Sequence, residues 1–237
     1  MSNSNDSRPG TAEAAPPPAD AASTTGAVRT TGASRATGAA GAADAAGAAG
    51  AAGAAGAASV ADLPLIRLRL LTEPDLVAYK ALRDAMLAGH EEAFTSDAST
   101  ERAREATSYR ARLHPQAGGK SLFTLGAWIG DQLVGALTVE HENRVKVRHV
   151  AHLIGMMVDD AHAGRGIGGL LLRQALELLR REPLLETLTL SVTAGNEPAI
   201  ALYRRAGFTR YGHLPRAIRL SDGRYYAKDL MSLDLRP

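Results

Sequence analysis

The chain has 237 residues, with 27 Lys and Arg against 25 Asp and Glu, and a formal net charge of +2. This mild charge gives no indication of a nucleic-acid partner. The absence of cysteine excludes disulfides, thiolate metal sites and a cysteine nucleophile. No apolar run reaches the roughly 18 residues of a membrane span, so we expect a cytoplasmic protein without membrane contact.

Residues 1–59 consist almost entirely of Ala, Gly, Ser, Thr and Pro. Such a segment cannot bury enough apolar surface to offset the entropy of the chain. Its Gly-Ala-Ala repeat over residues 38–58 also lacks the prolines that a collagen helix requires. We therefore predict a disordered low-complexity tail at 1–59 and one folded domain at 60–237.

Alternating and helical apolar spacing predicts the elements of that domain. Together they indicate a mixed α/β (α+β) fold around a central sheet. In chain order they are a strand at 66–70, a helix from 72 to 87, a helix at 100–113, strands at 122–128 and 132–140, a loop at 141–149, a central strand at 151–158, a helix over 171–179, a strand at 185–192, a helix at 196–206, and strands at 208–220 and 225–235.

A glycine-rich loop, Gly164-Arg-Gly-Ile-Gly-Gly169, follows the central strand and satisfies the pattern G-x-G-x-x-G. It does not fit a dinucleotide-binding fingerprint, because residues 159–163 separate it from its strand and the next strand ends at Ser191-Val192 without an acidic residue. A Walker loop is excluded because no Gly-Lys-Ser/Thr follows. Two interpretations remain: a pyrophosphate cradle of backbone N–H groups at a helix N-terminus, or a tight turn alone.

Two segments resemble the GNAT superfamily of acyl-CoA N-acyltransferases. The family's pyrophosphate loop, Gln/Arg-x-x-Gly-x-Gly/Ala, is similar to Ala163-Gly-Arg-Gly-Ile-Gly168, although Ala163 departs from the pattern at the first position. The family's segment Asn-x-x-Ala-x-x-Leu-Tyr-x-x-x-Gly-Phe is similar to residues 196–208. The resemblance extends loosely from Leu65 to Leu235.

The resemblance implies a mostly antiparallel sheet flanked by helices, with a V-shaped splay between its two central strands. It also implies acetyl-CoA as co-substrate and no metal ion. Backbone groups of the central strand would bind pantetheine, Asn196 would contact it, and the loop would bind the pyrophosphate. Core packing for the methionines and helix capping for Asn196 are the structural alternatives. The implied cofactor-binding residues are Met156, Met157, Val158, Gly164, Arg165, Gly166, Ile167, Gly168, Gly169 and Asn196.

For catalysis, the resemblance implies that Tyr203 protonates the CoA thiolate. A base must deprotonate the amine, and His152 stands where relatives often have Glu; Glu140 and Glu142 are further candidates. Strand alternation places His152, Ile154 and Met156 on one face. The expected function is direct acetyl transfer to an amine of a small molecule or a protein. A non-catalytic acyl-CoA binding module is the alternative, and a homodimer stays open.

Overall fold

The computed structural model describes residues 65–113, 121–142 and 144–236. Residues 1–59, the predicted tail, lie outside this part of the chain. The described residues contain a seven-stranded sheet in the order β1-β2-β3-β4-β5-β7-β6, in which β4 and β5 are parallel and every other neighbouring pair is antiparallel. The predicted mixed sheet is confirmed. The strands are β1 Ile66–Leu70, β2 Ser121–Ile129, β3 Gln132–His141, β4 Val150–Val158, β5 Thr187–Thr193, β6 Thr209–Arg219 and β7 Tyr225–Asp234.

Helices cover both faces of the sheet, because apolar side chains on each helix recur at the spacing of one helical face. Leu171, Ala175 and Leu179 of α3 are fully buried in one core, together with α4. The other core contains the apolar face of α1. Among the described residues, no helix has the length and apolar character to cross a membrane. The helices are α1 Leu76–Gly89, α2 Ala98–Arg102, α3 Ile167–Arg180 and α4 Glu197–Arg205.

The predicted helix at 100–113 is wrong. The α-helix ends at Arg102, and a 3-10 helix, Ala106–Arg112, follows after a break. The cause is the buried carboxylate of Glu101, which accepts hydrogen bonds from Arg83 Nε at 3.0 Å and Tyr109 Oη at 2.6 Å. A straight α-helix would hold positions 101 and 109 about 12 Å apart along its axis, so the chain must turn for the tyrosine to reach the carboxylate.

This buried ion pair generates a prediction about stability. Glu101→Gln removes the negative charge that balances Arg83, whose side chain is only 2% exposed. Removing one partner of a buried pair costs about 3–5 kcal/mol, so the free energy of unfolding in urea should fall by an amount of this order. Glu105→Gln, at an exposed position nearby, is the matched control and should change stability by less than about 0.5 kcal/mol. If both variants lost the same free energy of unfolding, the role of the Arg83–Glu101 ion pair would be contradicted.

Candidate functional site

The sheet is incompletely paired between its two parallel strands. β4 and β5 pair at three positions, all at their N-terminal ends, and no further pairing between them occurs among the described residues. The strands therefore diverge toward their C-terminal ends and form the predicted V-shaped splay. Backbone groups of β4 that face β5 beyond this point have no strand partner there. The pairs are Val150 with Thr187, Ala151 with Leu188, and His152 with Thr189.

A bulge at Gly155 interrupts β4 where the splay opens. Gly155 has φ +56°, in the left-handed region that favours glycine, and one position of β3 opposes both Gly155 and Met156. The extra residue reverses the alternation of side chains. Leu153 and Met156 therefore pack on the α3/α4 face, whereas His152 points to the α1 face. The expectation that His152 and Met156 share a face is wrong.

Tyr203 reaches the splay from α4. Its ring is buried against Phe208 in an edge-to-face contact, and its hydroxyl donates a hydrogen bond to Met156 Sδ at 3.5 Å. The hydroxyl thus lies against β4 on the α3/α4 face. Asn196 is the N-cap of the same helix, and its side chain accepts a hydrogen bond from the Ala199 N–H at 3.2 Å. Asn196 therefore caps α4, which is the structural alternative that the sequence offered for it.

The glycine loop connects the end of β4 to α3. Gly164 and Gly166 both have φ +74°, and a Cβ atom on either would meet no atom within 4 Å. No acceptor among the described residues receives a hydrogen bond from the backbone N–H groups of residues 164–169; the first backbone bond is from Leu170 to Gly166 O. Arg165 is exposed beside them. Unpaired donors at the positive end of a fourteen-residue helix favour an anionic ligand.

His152 occupies the last paired position of β4, at the vertex of the splay. Its Nδ1 lies 2.7 Å from Thr189 Oγ1, and its Nε2 lies 3.7 Å from a carboxylate oxygen of Glu142. The Thr189 hydroxyl also lies 3.4 Å from Ala151 O, so it is within reach of both groups and orients the imidazole ring. Glu140 is the cross-strand partner of His152 on the same face.

Two polar side chains near the bulge were missed at the level of sequence. Arg112 Nη1 and Tyr79 Oη lie 3.5 Å and 3.8 Å from the position of a Cβ atom on Gly155. Burial would raise the pKa of Tyr79, but the charges of Arg112 and Arg83 outweigh it and lower that pKa. Tyr79 lies within the predicted helix from 72 to 87, where its helical spacing is that of a core residue, and no sequence signal placed Arg112 near β4.

A short segment after α1, His90–Phe94, crosses the open end of the splay on the α1 face; we call it the bridging segment. At one end, His90 Nε2 contacts the Asp160 carboxylate at 2.9 Å, just beyond β4. At the other, Thr193 Oγ1 donates to Glu92 O at 2.9 Å. Lys228 Nζ on β7 also donates a hydrogen bond of 2.9 Å to a carbonyl of the segment, that of Ala93. The segment therefore ties the two diverging strands together.

The acceptor of the Lys228 hydrogen bond is Ala93 O. Lys228 lies opposite Thr193 in the β5–β7 ladder and is 2% exposed. Burial lowers the pKa of Lys228 to about 8. No sequence signal predicted this residue, because a charged residue in an alternating strand ordinarily faces solvent.

A mixed sheet that is divided between two parallel strands, with a glycine loop at its open end, defines the architectural class of this α/β protein. The comparison with known families identifies the family. Residues 83–208, just over half of the chain, match the Acetyltransferase (GNAT) family, and the chain belongs to that family.

Two relatives are similar in sequence. The N-alpha-acetyltransferase RimI of Mycobacterium tuberculosis is 38% identical over 103 residues, which cover 43% of this chain and 61% of that protein. The L-amino acid N-acetyltransferase AaaT of Escherichia coli K12 is 32% identical over 100 residues, 42% of this chain and 59% of that protein. The chain thus spans about three fifths of the length of these relatives.

The fold is also similar to solved structures. A GNAT-family acetyltransferase from Streptococcus pneumoniae is 25% identical, with a TM-score of 0.63 over 72% of this chain and 99% of that protein. This similarity covers nearly all of the described residues and supports the assignment of the fold.

The buried Lys228 generates a prediction about pH. Its pKa of about 8 in the folded protein is below the ordinary 10.5 of an unfolded chain, so the unfolded state binds more protons between these values. Wild-type stability should therefore rise with pH across this window, relative to Lys228→Met, by on the order of 3 kcal/mol. Urea unfolding of both proteins at pH 7 to 10.5 measures the difference. If the unfolding free energies of the two proteins changed with pH in parallel, the lowered pKa of a buried Lys228 ammonium group would be contradicted.

Proposed function

We propose that the protein is an N-acetyltransferase that moves an acetyl group from acetyl-CoA to the α-amino group of an amino acid or a polypeptide. The observation that carries the proposal is the splay of β4 and β5 with the unpaired glycine loop at its open end. The acceptor class is supported by the two relatives, whose names specify an α-amine and an L-amino acid.

The chain's own groups fit an extended thioester ligand. The unpaired edge of β4 at Met156–Val158 offers backbone donors and acceptors to an amide-bearing chain such as pantetheine. The N–H groups of residues 164–169 suit a pyrophosphate, and Arg165 adds an exposed positive charge beside them. The thioester supplies the activated acetyl group; the protein positions it and moves the protons.

The arrangement of side chains on the two faces of β4 supports direct transfer in a ternary complex. His152 on the α1 face takes a proton from the attacking amine at its imidazole ring, which the 2.7 Å contact between Nδ1 and Thr189 Oγ1 orients. Tyr203 on the opposite face gives its hydroxyl proton to the departing sulfur. The new C–N bond thus forms while the C–S bond breaks, and each proton has an assigned donor and acceptor. Holding both reactants in place provides the remaining acceleration.

An acceptor competition tests the proposed activity. The full chain is incubated with acetyl-CoA and matched peptides that differ in their amines: one with a free α-amine and no lysine, one with a blocked α-amine and a lysine. Mass spectrometry should find acetyl on the first peptide and not on the second, with free L-amino acids tested in parallel. Acetylation of the lysine alone would overturn the acceptor class. CoA binding with no transfer to any amine would favour the non-catalytic binding module.

The glycine loop generates a prediction about ligand binding. Gly166→Asp places a carboxylate in the cradle, where it repels the pyrophosphate, so the rise in melting temperature that CoA produces in the wild type should be lost. Gly130→Asp is the matched control, because Gly130 also has positive φ and open space around its Cβ position but lies in the β2–β3 turn. This control should keep the shift. If Gly166→Asp bound CoA normally, the loop would be a tight turn and not a pyrophosphate cradle.

Tyr203→Phe tests the assigned acid. The change removes one hydroxyl and keeps the ring contact with Phe208, so CoA binding should be nearly unchanged. Turnover should fall by about a hundredfold to ten-thousandfold, the range for a positioned general acid. Tyr211→Phe, at an exposed ring on β6, is the control and should keep full turnover. If Tyr203→Phe kept full turnover between pH 6 and 9, Tyr203 would have only a structural role in the core.

A further inference from the structure

The bridging segment continues into one wall of a cleft on the α1 face. Glu91 and residues 94–97 line one side of this cleft, flanking the two carbonyls that are held from β5 and β7, and Ile218–Ser221 at the end of β6 line the other side, around a volume of about 390 Å³. Phe94 is the last residue of the bridging segment and directly follows Ala93, whose carbonyl Lys228 binds. It is 1% exposed and lines the cleft. A displacement of the bridging segment would therefore move this wall directly.

Lys228 is an unusual anchor for such a segment. It makes no ion pair among the described residues, and the neighbouring Asp229 is engaged by His213 at 2.7 Å and Arg210 at 3.3 Å. Burying an ammonium group without a carboxylate is costly, and an unbranched apolar residue such as methionine would fill the same space without that cost. What lysine adds is a charge-assisted hydrogen bond to Ala93 O.

The second anchor acts on the adjacent carbonyl. Thr193 lies opposite Lys228 in the ladder and donates to Glu92 O. Two consecutive carbonyls of the bridging segment are thus held by side chains from β5 and β7, so both the position and the rotation of the segment are fixed. The charges nearest to these anchors along the segment are Glu91 and Glu92, which are part-exposed.

We propose that Lys228 is a positioning residue for acceptor binding: together with Thr193, it fixes the bridging segment and thereby the wall of the cleft that receives the residue carrying the reactive amine. The inference rests on the proposed function. It assigns to Lys228 an effect on the amine and not on the cofactor, because the side-chain hydrogen bond of Lys228 in the described part of the chain goes to the wall of the cleft and not to the glycine loop or to β4.

The experiment compares Lys228→Met with wild type in the full chain. The KM for the amine should rise by about ten- to hundredfold, the size of one hydrogen bond from a charged group. The kcat at saturating amine should stay within about twofold of the wild-type value. The CoA-induced shift in melting temperature should stay within a few degrees of that of wild type. Arg180→Met, which removes an exposed cation from α3, is the control and should change none of these values.

Thr193→Val provides a second variant if Lys228→Met fails to fold, and Thr187→Val on the same strand is its control. Thr193→Val should raise the amine KM in the same selective way, by a smaller factor because its donor is neutral. A lower melting temperature with unchanged amine KM would overturn the proposal and leave Lys228 a structural residue. A joint change in amine KM, kcat and CoA binding would also overturn it.

Hydrogen exchange separates this inference from the proposed function. In the CoA-free protein, amides of residues 91–97 should exchange faster in Lys228→Met than in wild type, whereas those of α3 should not. Unchanged exchange would overturn the positioning role. If wild type acetylates no amine, the proposed function fails, and the exchange rates alone decide whether Lys228 holds this wall.

Discussion

The rest of the structure depends on the incomplete pairing of β4 with β5. Parallel strands in a sheet normally satisfy each other's backbone groups along their length, and groups left without partners carry a free-energy cost if water cannot reach them. Here the pairing stops at His152, and the Gly155 bulge bends β4 just beyond. A ligand with an extended amide chain would restore the missing partners, which is why we propose the gap in the sheet as the binding site.

The bulge has a second consequence, because it puts His152 and Met156 on opposite faces of β4. Met156 and the Tyr203 hydroxyl lie on the α3/α4 face, together with the glycine loop, whereas His152 lies on the α1 face. In the proposed reaction, the leaving sulfur and the attacking amine would therefore meet their proton donor and acceptor on opposite sides of one strand. The bridging segment closes the α1 face across the open end, where Lys228 holds it.

Much of the fold, and the glycine loop of the candidate site, could be predicted from the sequence, since both depend on local patterns. Alternation gave the strands, and the glycine spacing gave the loop before α3. The failures involve contacts between distant residues. Tyr109 turns the chain to reach Glu101, the bulge reverses the faces of β4, and Lys228 bonds a carbonyl 135 positions away. No periodicity in a short window encodes these contacts.

The central claim is that unpaired backbone groups of β4 and of the glycine loop hold acetyl-CoA. Hydrogen–deuterium exchange of the full chain with and without CoA measures those groups directly. CoA should slow exchange at amides of Met156–Val158 and of residues 164–169, while amides of β2, which is paired on both sides, should not change. Protection confined to other parts of the sheet, or no protection at saturating CoA, would contradict the account.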